Sequence, residues 1–160
     1  MKKIVLFLFV VFSLVITSCS SSKTVVKNKK KPLSKVDKIV AEALKYKGVR
    51  YRFGGTTRSG MDCSGIVFVA FGSEKVHLPR VSRDMAKKGT KISLSKVKKG
   101  DLLFFRTSNR RRRINHVGLV VSHKNGQIRF VHATSSKGVI VSSLSEKYWK
   151  KAFVKATKIL

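Results

Sequence analysis

Residues 64–72, SGIVFVAFG, show no polar face in either a helix or a strand. A segment of this kind has to be buried, so we expect a helix inside the core of the fold. A buried strand is the alternative, because periodicity alone does not separate the two. The preceding residues, GMDC, place an acidic side chain and Cys63 where a glycine-rich loop meets this core segment. What the chain does depends on why a thiol stands at that junction.

The chain has 160 residues, enough for one domain with a substantial core. Residues 1–18 have a basic start and an apolar stretch too short for a comfortable membrane span, as secretory signals do. They lead into VITSC, which resembles a bacterial lipobox, and by that resemblance Cys19 becomes the lipidated first residue of the mature protein. An ordinary signal that leaves Cys19 free is the alternative. We predict a signal peptide over 1–18, a lipidated cysteine and basic flexible tether over 19–34, and one folded domain over 35–160.

The net charge of +29 points to anionic partners but says nothing about the fold. An exported protein meets little nucleic acid, so we expect no nucleic-acid partner. Membrane lipids, reached through the lipid on Cys19, and the cell wall are the expected anionic neighbours. If the sulfur of Cys19 is acylated, no disulfide joins the two cysteines of the chain. Cys63 is then a lone thiol in an oxidising compartment, which favours a functional role for it.

The coarse pattern predicts helices first and strands later. Residues 36–44 repeat apolar side chains at helical spacing, Ser34 and Asp37 form a capping pattern, and Gly48 stands where the helix should stop. The second half alternates turns with segments rich in Val, Ile, Phe and Thr, namely DLLFFR, HVGLVVSH, QIRFVHAT, GVIVSSL and AFVKATKI. This order favours an α+β fold in which N-terminal helices pack on a central antiparallel sheet.

A thiol at position 63 would begin the buried helix, where unpaired backbone N–H groups favour an anion. A neighbouring imidazole would lower the thiol pKa further, so we expect Cys63 to rest as a thiolate beside an imidazolium. The same N–H groups are suited to stabilise an oxyanion. Of the four histidines, His116 and His132 lie on predicted strands joined across the turn signal Lys124-Asn125-Gly126.

The register of this hairpin decides whether the two imidazoles meet. A two-residue Asn125-Gly126 turn would leave them on opposite faces of the sheet. A three-residue loop that includes Lys124 would put His132 opposite Gly118. His116 would then lie on the same face, at roughly 7–8 Å between diagonal Cα atoms. We therefore predict the three-residue loop.

These residues suggest a thiol hydrolase. Cys63 attacks a carbonyl, His116 takes and returns the proton, and His132 holds the His116 ring through its other nitrogen. Two other interpretations stay open. The three side chains would bind zinc, although no C-x-x-C or H-x-x-x-H spacing supports this, or Cys63 is a small core residue. We expect Trp149 and Phe153 to be core residues, and because no cofactor motif is present we expect neither a cofactor nor a metal.

Several segments resemble, in order and from about residue 35 onward, the NlpC-type cell-wall peptidases. They are YRFGG (51–55), DCSG (62–65), LPR (78–80), KKGDLLFF (98–105), NHVGLV (115–120) and FVHATSSKGVIVSSL (130–144). Members of that family are papain-like cysteine endopeptidases that cut the peptide stems of peptidoglycan. The resemblance implies a papain-like α+β fold and peptidoglycan as the partner. With the lipobox, it implies a lipoprotein of the outer membrane that faces the periplasm, and we expect a monomer.

By this resemblance, Cys63 is the nucleophile, His116 the base and His132 the orienting third residue. Tyr51 matches a family tyrosine whose hydroxyl helps to hold the oxyanion; a core aromatic is the alternative. Three more matched residues would bind substrate, or would only cap the helix or lie at the surface: Asp62, Ser64 and Arg80. The resemblance favours the D-alanyl–diaminopimelyl cross-link as the bond cut, with γ-D-glutamyl–diaminopimelate as the alternative.

One stretch departs from the family pattern, the basic run of Arg110, Arg111, Arg112 and Arg113. It precedes His116, so it would dock substrate carboxylates at the rim of the site, or it is a solvated loop without a role. Two further functions fit the same residues. One is a non-catalytic lipoprotein that binds the cell wall or another polyanion, and the other is a thioesterase or acyltransferase that uses the same dyad.

Overall fold

A computed structural model of the protein describes residues 32–108 and 113–160. The predicted signal peptide, Cys19 and most of the tether lie outside the described residues, as do Arg110, Arg111 and Arg112. Arg113 is described and is exposed. Within the described ranges, no helix is both long and apolar enough to cross a membrane.

The described residues form four α-helices: α1 Lys35–Leu44, α2 Cys63–Gly72, α3 Ser82–Met85 and α4 Lys147–Ala152. Ser34 caps α1 by accepting a hydrogen bond from the Asp37 N–H at 3.1 Å, as its capping pattern predicts. The apolar run forms α2, so the helix is confirmed and the strand alternative is wrong.

Eight strands belong to two sheets in the described part of the chain. β1 Thr56–Thr57 and β2 Gly60–Met61 form a small hairpin before α2. The large sheet is antiparallel, with strand order β3-β8-β4-β5-β6-β7. Its strands are β3 Thr90–Ile92, β4 Leu102–Phe105, β5 His116–Lys124, β6 Gln127–Thr134, β7 Gly138–Ser143 and β8 Phe153–Lys158.

The large sheet separates two clusters of apolar side chains. On one face, α1 and α2 pack on the sheet through fully buried residues such as Ile39, Ile66 and Phe71. Burying a side chain of this size stabilises the fold by roughly 2–3 kcal/mol. On the other face, Phe105 and Phe130 pack against Trp149 of α4. The predicted α+β architecture with N-terminal helices on an antiparallel sheet is confirmed.

The β5–β6 hairpin has the predicted strand pairing near His116 and His132, but its turn differs from the predicted one. Its turn is the two-residue one, with Lys124 paired to Gln127 and positive φ at Asn125 and Gly126, so the predicted three-residue loop is wrong. The extra residue is instead a bulge between Val120 and Ser122. A bulge shifts the register by one residue, so every side chain beyond it changes face.

Beyond the bulge, Leu119 pairs with Val131, and the same register puts His132 opposite Gly118. His116 and His132 therefore lie on one face of the sheet, as the function predicted from the sequence requires.

Candidate active site

Cys63 is the first residue of α2, and Asp62 is the N-cap of that helix. The Asp62 carboxylate accepts a hydrogen bond from the Gly65 N–H at 2.6 Å, so the helix begins at the cysteine. The thiol is partly exposed, and the backbone N–H groups of Cys63 and Ser64 favour its anion. The chain thus presents the sulfur at a helix N-terminus, as the junction in the sequence predicts.

Arg80 ties the loop before α2 to the helix. Its guanidinium donates to the two carboxylate oxygens of Asp62, each at 2.9 Å, and to Ser64 Oγ at 2.8 Å. It also reaches the Gly55 carbonyl at 3.2 Å. Burial by itself would raise the pKa of Asp62, but hydrogen bonds from Arg80 and from backbone N–H groups, including that of Gly54, hold it below its usual value. Asp62 therefore remains a carboxylate beneath the cysteine.

These hydrogen bonds join the side chains of Arg80, Asp62 and Ser64 to one another. None of the three lines the cleft that contains Cys63. Asp62 caps the helix and is bonded to the other two side chains, so contact of the three residues with a substrate stays a prediction.

Two buried imidazoles and a hydroxyl form a chain of hydrogen bonds across β5, β6 and β7. His116 Nε2 lies 3.0 Å from His132 Nδ1, and His132 Nε2 lies 3.0 Å from Ser142 Oγ. His132 is fully buried, and His116 is only 8% exposed. The contact between the two histidines is the predicted one. Ser142 was not predicted, and its signal in the sequence is weak because a serine on a strand is common.

Phe105, Phe130 and Trp149 form an aromatic wall around the two imidazoles. The Trp149 ring stacks on His116 at 5.2 Å between centroids and meets His132 edge-on at 4.5 Å. Phe130 lies 4.8 Å from His132. Trp149 is buried, as predicted, but it also lines the cleft, so it holds the rings in place and keeps water from them.

Gly118 makes room for this wall. A Cβ atom at that position would lie 2.3 Å from Phe130 Cδ2. The missing side chain therefore admits the Phe130 ring.

A cleft of about 610 Å³ opens onto Cys63 and His116. The backbone N–H of Val117, the residue after His116, favours the anionic form of the Cys63 sulfur. The sulfur thus lies at the beginning of β5, where His116 starts the strand. Other parts of the cleft wall come from β6, β7 and the residues around α4, among them Thr134, Lys137, Ile140, Glu146 and Tyr148.

Burial determines the protonation of the thiol and the imidazoles. Desolvation raises the pKa of the Cys63 thiol to about 11, and the negative charge of Asp62 adds to this effect against the backbone donors. Desolvation lowers the pKa of His116 to about 4, and burial together with the charge of His116 lowers the pKa of His132. Both shifts favour a neutral thiol and neutral imidazoles over the expected thiolate–imidazolium pair.

Tyr51 lines the same cleft and precedes the β1–β2 hairpin. Burial raises its pKa, and negative charge on Asp62, or on Cys63 when it is a thiolate, acts in the same direction. The phenol is therefore protonated at neutral pH and keeps an O–H group to donate.

The donor geometry does not favour the zinc alternative. His116 and His132 use facing nitrogens to bond to each other. No group of three or more His, Cys, Asp or Glu side chains within residues 32–108 and 113–160 is arranged to hold a metal ion. His123 bonds to the Val97 carbonyl at 2.7 Å, near the other end of β5, and neither it nor His77 lines the cleft.

Residues 48–158 of the chain match the NlpC/P60 family. The chain belongs to the NlpC/P60 family. The matched range contains the whole candidate site, from Tyr51 through Cys63 and His116 to Trp149. The resemblance seen in the sequence motifs is thereby confirmed.

Individual relatives agree with this assignment. The chain is 40% identical over 124 residues to the murein DD-endopeptidase MepS/murein LD-carboxypeptidase of Escherichia coli (strain K12), which covers 77% of this chain but only 62% of that protein. It is 41% identical over 113 residues to the probable endopeptidase NlpC of the same strain, covering 70% of each protein.

A solved structure from Staphylococcus aureus supports the fold of this NlpC/P60 domain. That protein, described as similar to a lipoprotein of the NLP/P60 family, is 34% identical and has a TM-score of 0.68, with 79% of this chain and 41% of that chain covered.

Proposed function

We propose that the protein is a lipoprotein endopeptidase that hydrolyses amide bonds in the stem peptides or cross-links of peptidoglycan. One observation carries the proposal. The Cys63 thiol, at a helix N-terminus, and His116 line one cleft, and His116 is bonded to the buried His132. The name of the MepS relative supports murein as the substrate and favours the D-alanyl–diaminopimelyl cross-link. Cleavage between γ-D-glutamate and diaminopimelate is the alternative.

In the proposed reaction, Cys63 transfers its proton to His116 Nδ1 as the sulfur attacks the substrate carbonyl. The carbonyl oxygen takes up the electron pair, and the α2 N-terminus and the protonated Tyr51 hydroxyl are the proposed donors that hold it. The C–N bond then breaks, and His116 returns the proton to the leaving amine. Water hydrolyses the resulting thioester, with His116 as the base, and regenerates the thiol.

Ser142 has a positioning role in this scheme. His116 accepts a proton at Nδ1 only in the tautomer that carries hydrogen on Nε2, which then donates to His132 Nδ1. His132 must in turn carry its hydrogen on Nε2, where Ser142 Oγ is the acceptor. The hydroxyl therefore stabilises the tautomer in which His116 is a base.

Ser142→Ala should lower kcat about tenfold with little change in KM, because a buried imidazole N–H loses its acceptor and the wrong tautomer of His116 gains population. Ser142→Thr, which keeps the hydroxyl, is the matched control and should retain most of the activity. Steady-state kinetics on a soluble muropeptide measures both values. Equal loss in the two variants would show that packing, rather than the hydroxyl, matters at this position.

The protonation state predicts an unusual pH dependence for alkylation of Cys63 by iodoacetamide. Only the thiolate reacts, and its pKa is raised to about 11 in the folded protein. The rate should be slow at neutral pH and still rising above pH ~9, where free cysteine has passed its own pKa. A rate that is already at its plateau at pH ~6 would instead show a resting thiolate.

The proposed location follows from residues outside the described ranges. Lipid on Cys19 would anchor a monomeric protein in the outer membrane, with the domain in the periplasm. Metabolic labelling with a fatty acid, followed by membrane fractionation of wild type and Cys19→Ser, tests this. Label in both proteins, or in neither, would contradict the proposed anchor.

Mass spectrometry tests the activity and identifies the bond. The purified protein, without lipid, is incubated with cross-linked muropeptides and with monomeric stem peptides. We expect dimers to become monomers through cleavage of the D-alanyl–diaminopimelyl bond. Shortened monomers would assign the γ-D-glutamyl bond instead, and unchanged substrates would contradict the endopeptidase proposal.

A further inference from the structure

A cluster of lysines lies at the end of β5 that is away from the cleft. We name it the basic end and define it as Lys96, Lys98, Lys99, Lys124 and Lys158. Two neighbouring grooves share the first three lysines, and one groove is completed by Lys124 and the other by Lys158. All five side chains belong to exposed residues.

Carboxylates offset only part of this charge. Lys99 is bonded to Asp37. Asp101 is the second acidic side chain here; it is buried, accepts a hydrogen bond from the Lys98 backbone N–H at 2.6 Å, and interacts with the charges of Lys158 and Lys98. Lys96, Lys124 and the Lys98 and Lys158 side chains form no ion pair with another described residue. The surface therefore keeps a net positive charge that faces solvent.

Strand β5 connects the basic end to the cleft. It begins at His116, which lines the cleft, and ends at Lys124. Eight residue steps at roughly 3.4 Å each separate the two ends by about 27 Å. An object that binds the basic end would leave the cleft open.

The chain enters the domain at the same end. Val36, in the first turn of α1, lines a groove of the basic end, and its side chain lies against Gly100. The covalent connection toward Cys19 therefore leaves the domain beside these lysines. Along the chain, the basic end is therefore closer than the cleft to a lipid on that cysteine.

We propose that the basic end docks on an anionic lipid surface and holds the domain with its cleft pointing away from the membrane. The lysine ammonium groups would bind headgroup phosphates, each adding a favourable contribution near a charged surface. The proposal uses the lipid anchor of the proposed function but does not depend on catalysis. A tether alone would leave the orientation of the domain free, whereas this contact fixes it.

Vesicle binding tests the surface without any contribution from lipid on the protein. The chain from Cys19 onward, carrying Cys19→Ser, is sedimented with vesicles of phosphatidylglycerol and phosphatidylethanolamine. One variant replaces Lys96, Lys98, Lys124 and Lys158 by glutamine. The control variant makes the same change, with equal loss of charge, at four exposed lysines elsewhere: Lys45, Lys47, Lys147 and Lys151.

We expect the first variant to lose at least about tenfold in vesicle partitioning and the control variant to lose much less. Circular dichroism checks that both are folded. Equal losses would overturn the proposal, because general surface charge would then explain binding. Loss of binding to purified sacculi, with unchanged vesicle binding, would assign the basic end to the cell wall and also overturn it.

The single tryptophan of the chain reports the orientation. Trp149 lines the cleft, so energy transfer from its fluorescence to dansyl-labelled lipid headgroups should be weak when the protein is bound to vesicles. Strong energy transfer would place the cleft against the membrane and overturn the proposed orientation. Neither readout depends on peptidase activity, so failure here is distinct from failure of the proposed function.

Discussion

Cys63→Ala should lower kcat/KM for muropeptide cleavage by roughly 10³-fold or more, because in the proposed reaction the acyl intermediate forms on this sulfur. Without the thiol, His116 has no S–H proton to accept in the cleft. The fold should survive, since the residue is small and partly exposed, and the free energy of unfolding should change by less than about 1 kcal/mol. The measurement is the release of cleaved muropeptides by purified protein.

The other cysteine supplies the matched control. Cys19→Ser removes the proposed lipid site and should leave cleavage by the purified protein unchanged. Binding of Cys63→Ala to purified peptidoglycan should remain, because the cleft keeps its walls. If wild type binds peptidoglycan without cutting it, the protein is the non-catalytic binder considered from its sequence. If Cys63→Ala cuts as well as wild type, the sulfur is not the nucleophile.

Gly65→Ala should destabilise the domain by about 3 kcal/mol, a change on the order of 10 °C in Tm. The reason is the close approach of two backbones. A Cβ atom on Gly65 would lie 2.1 Å from the Gly55 carbonyl oxygen, and also close to the Asp62 carboxylate and the Arg80 guanidinium. The loop that contains Gly55 is held by a hydrogen bond from Arg80 and has little room to move. The start of α2 must therefore shift. Cleavage activity should fall as well, because Cys63 moves with that helix start.

Gly72, in the last turn of the same helix, is the control. A Cβ atom there meets no other atom within 4 Å. Gly72→Ala should therefore be neutral or stabilising by a few tenths to about 1 kcal/mol, because alanine loses less backbone freedom on folding. Thermal unfolding of the two variants, compared with wild type, gives both values. Similar Tm shifts in the two variants would contradict the contact argument.

Features set by local pattern could be predicted from the sequence. The buried α2 followed from a run without a polar face, and the α1 cap followed from Ser34 and Asp37. The five long strands followed from β-branched composition between turn signals. Short elements such as α3, β3 and α4 were not predicted, because tertiary packing rather than a long periodic pattern stabilises them.

The pairing of two strands in the sequence predicted one part of the candidate site, the contact between its two histidines. The meeting of His116 and His132 was correct, but the extra residue lies in a bulge at Val121 rather than in the turn. A bulge has no reliable sequence signal here, since Val121 is an ordinary strand residue. The stacking of Trp149 on His116 and the hydrogen bond of Ser142 depend on segments that fold back from far along the chain.

The pKa of Cys63 shows where an argument from one interaction is insufficient. A helix N-terminus and a nearby imidazole both favour the thiolate, and the sequence reveals both. Desolvation acts in the opposite direction and is larger, but it depends on how far the surrounding segments of the folded chain enclose the sulfur. That enclosure is a property of the assembled domain.

The two proposed reacting groups belong to different layers of the molecule. The sulfur moves with α2, which lies on one face of the sheet, whereas the imidazole of His116 is clamped by Trp149 on the other. The two groups are far apart in the chain, so the packing of α2 on the sheet sets the distance between the sulfur and the imidazole. A compound that displaced α2 from the sheet would abolish the proposed activity while leaving every residue of the cleft chemically intact.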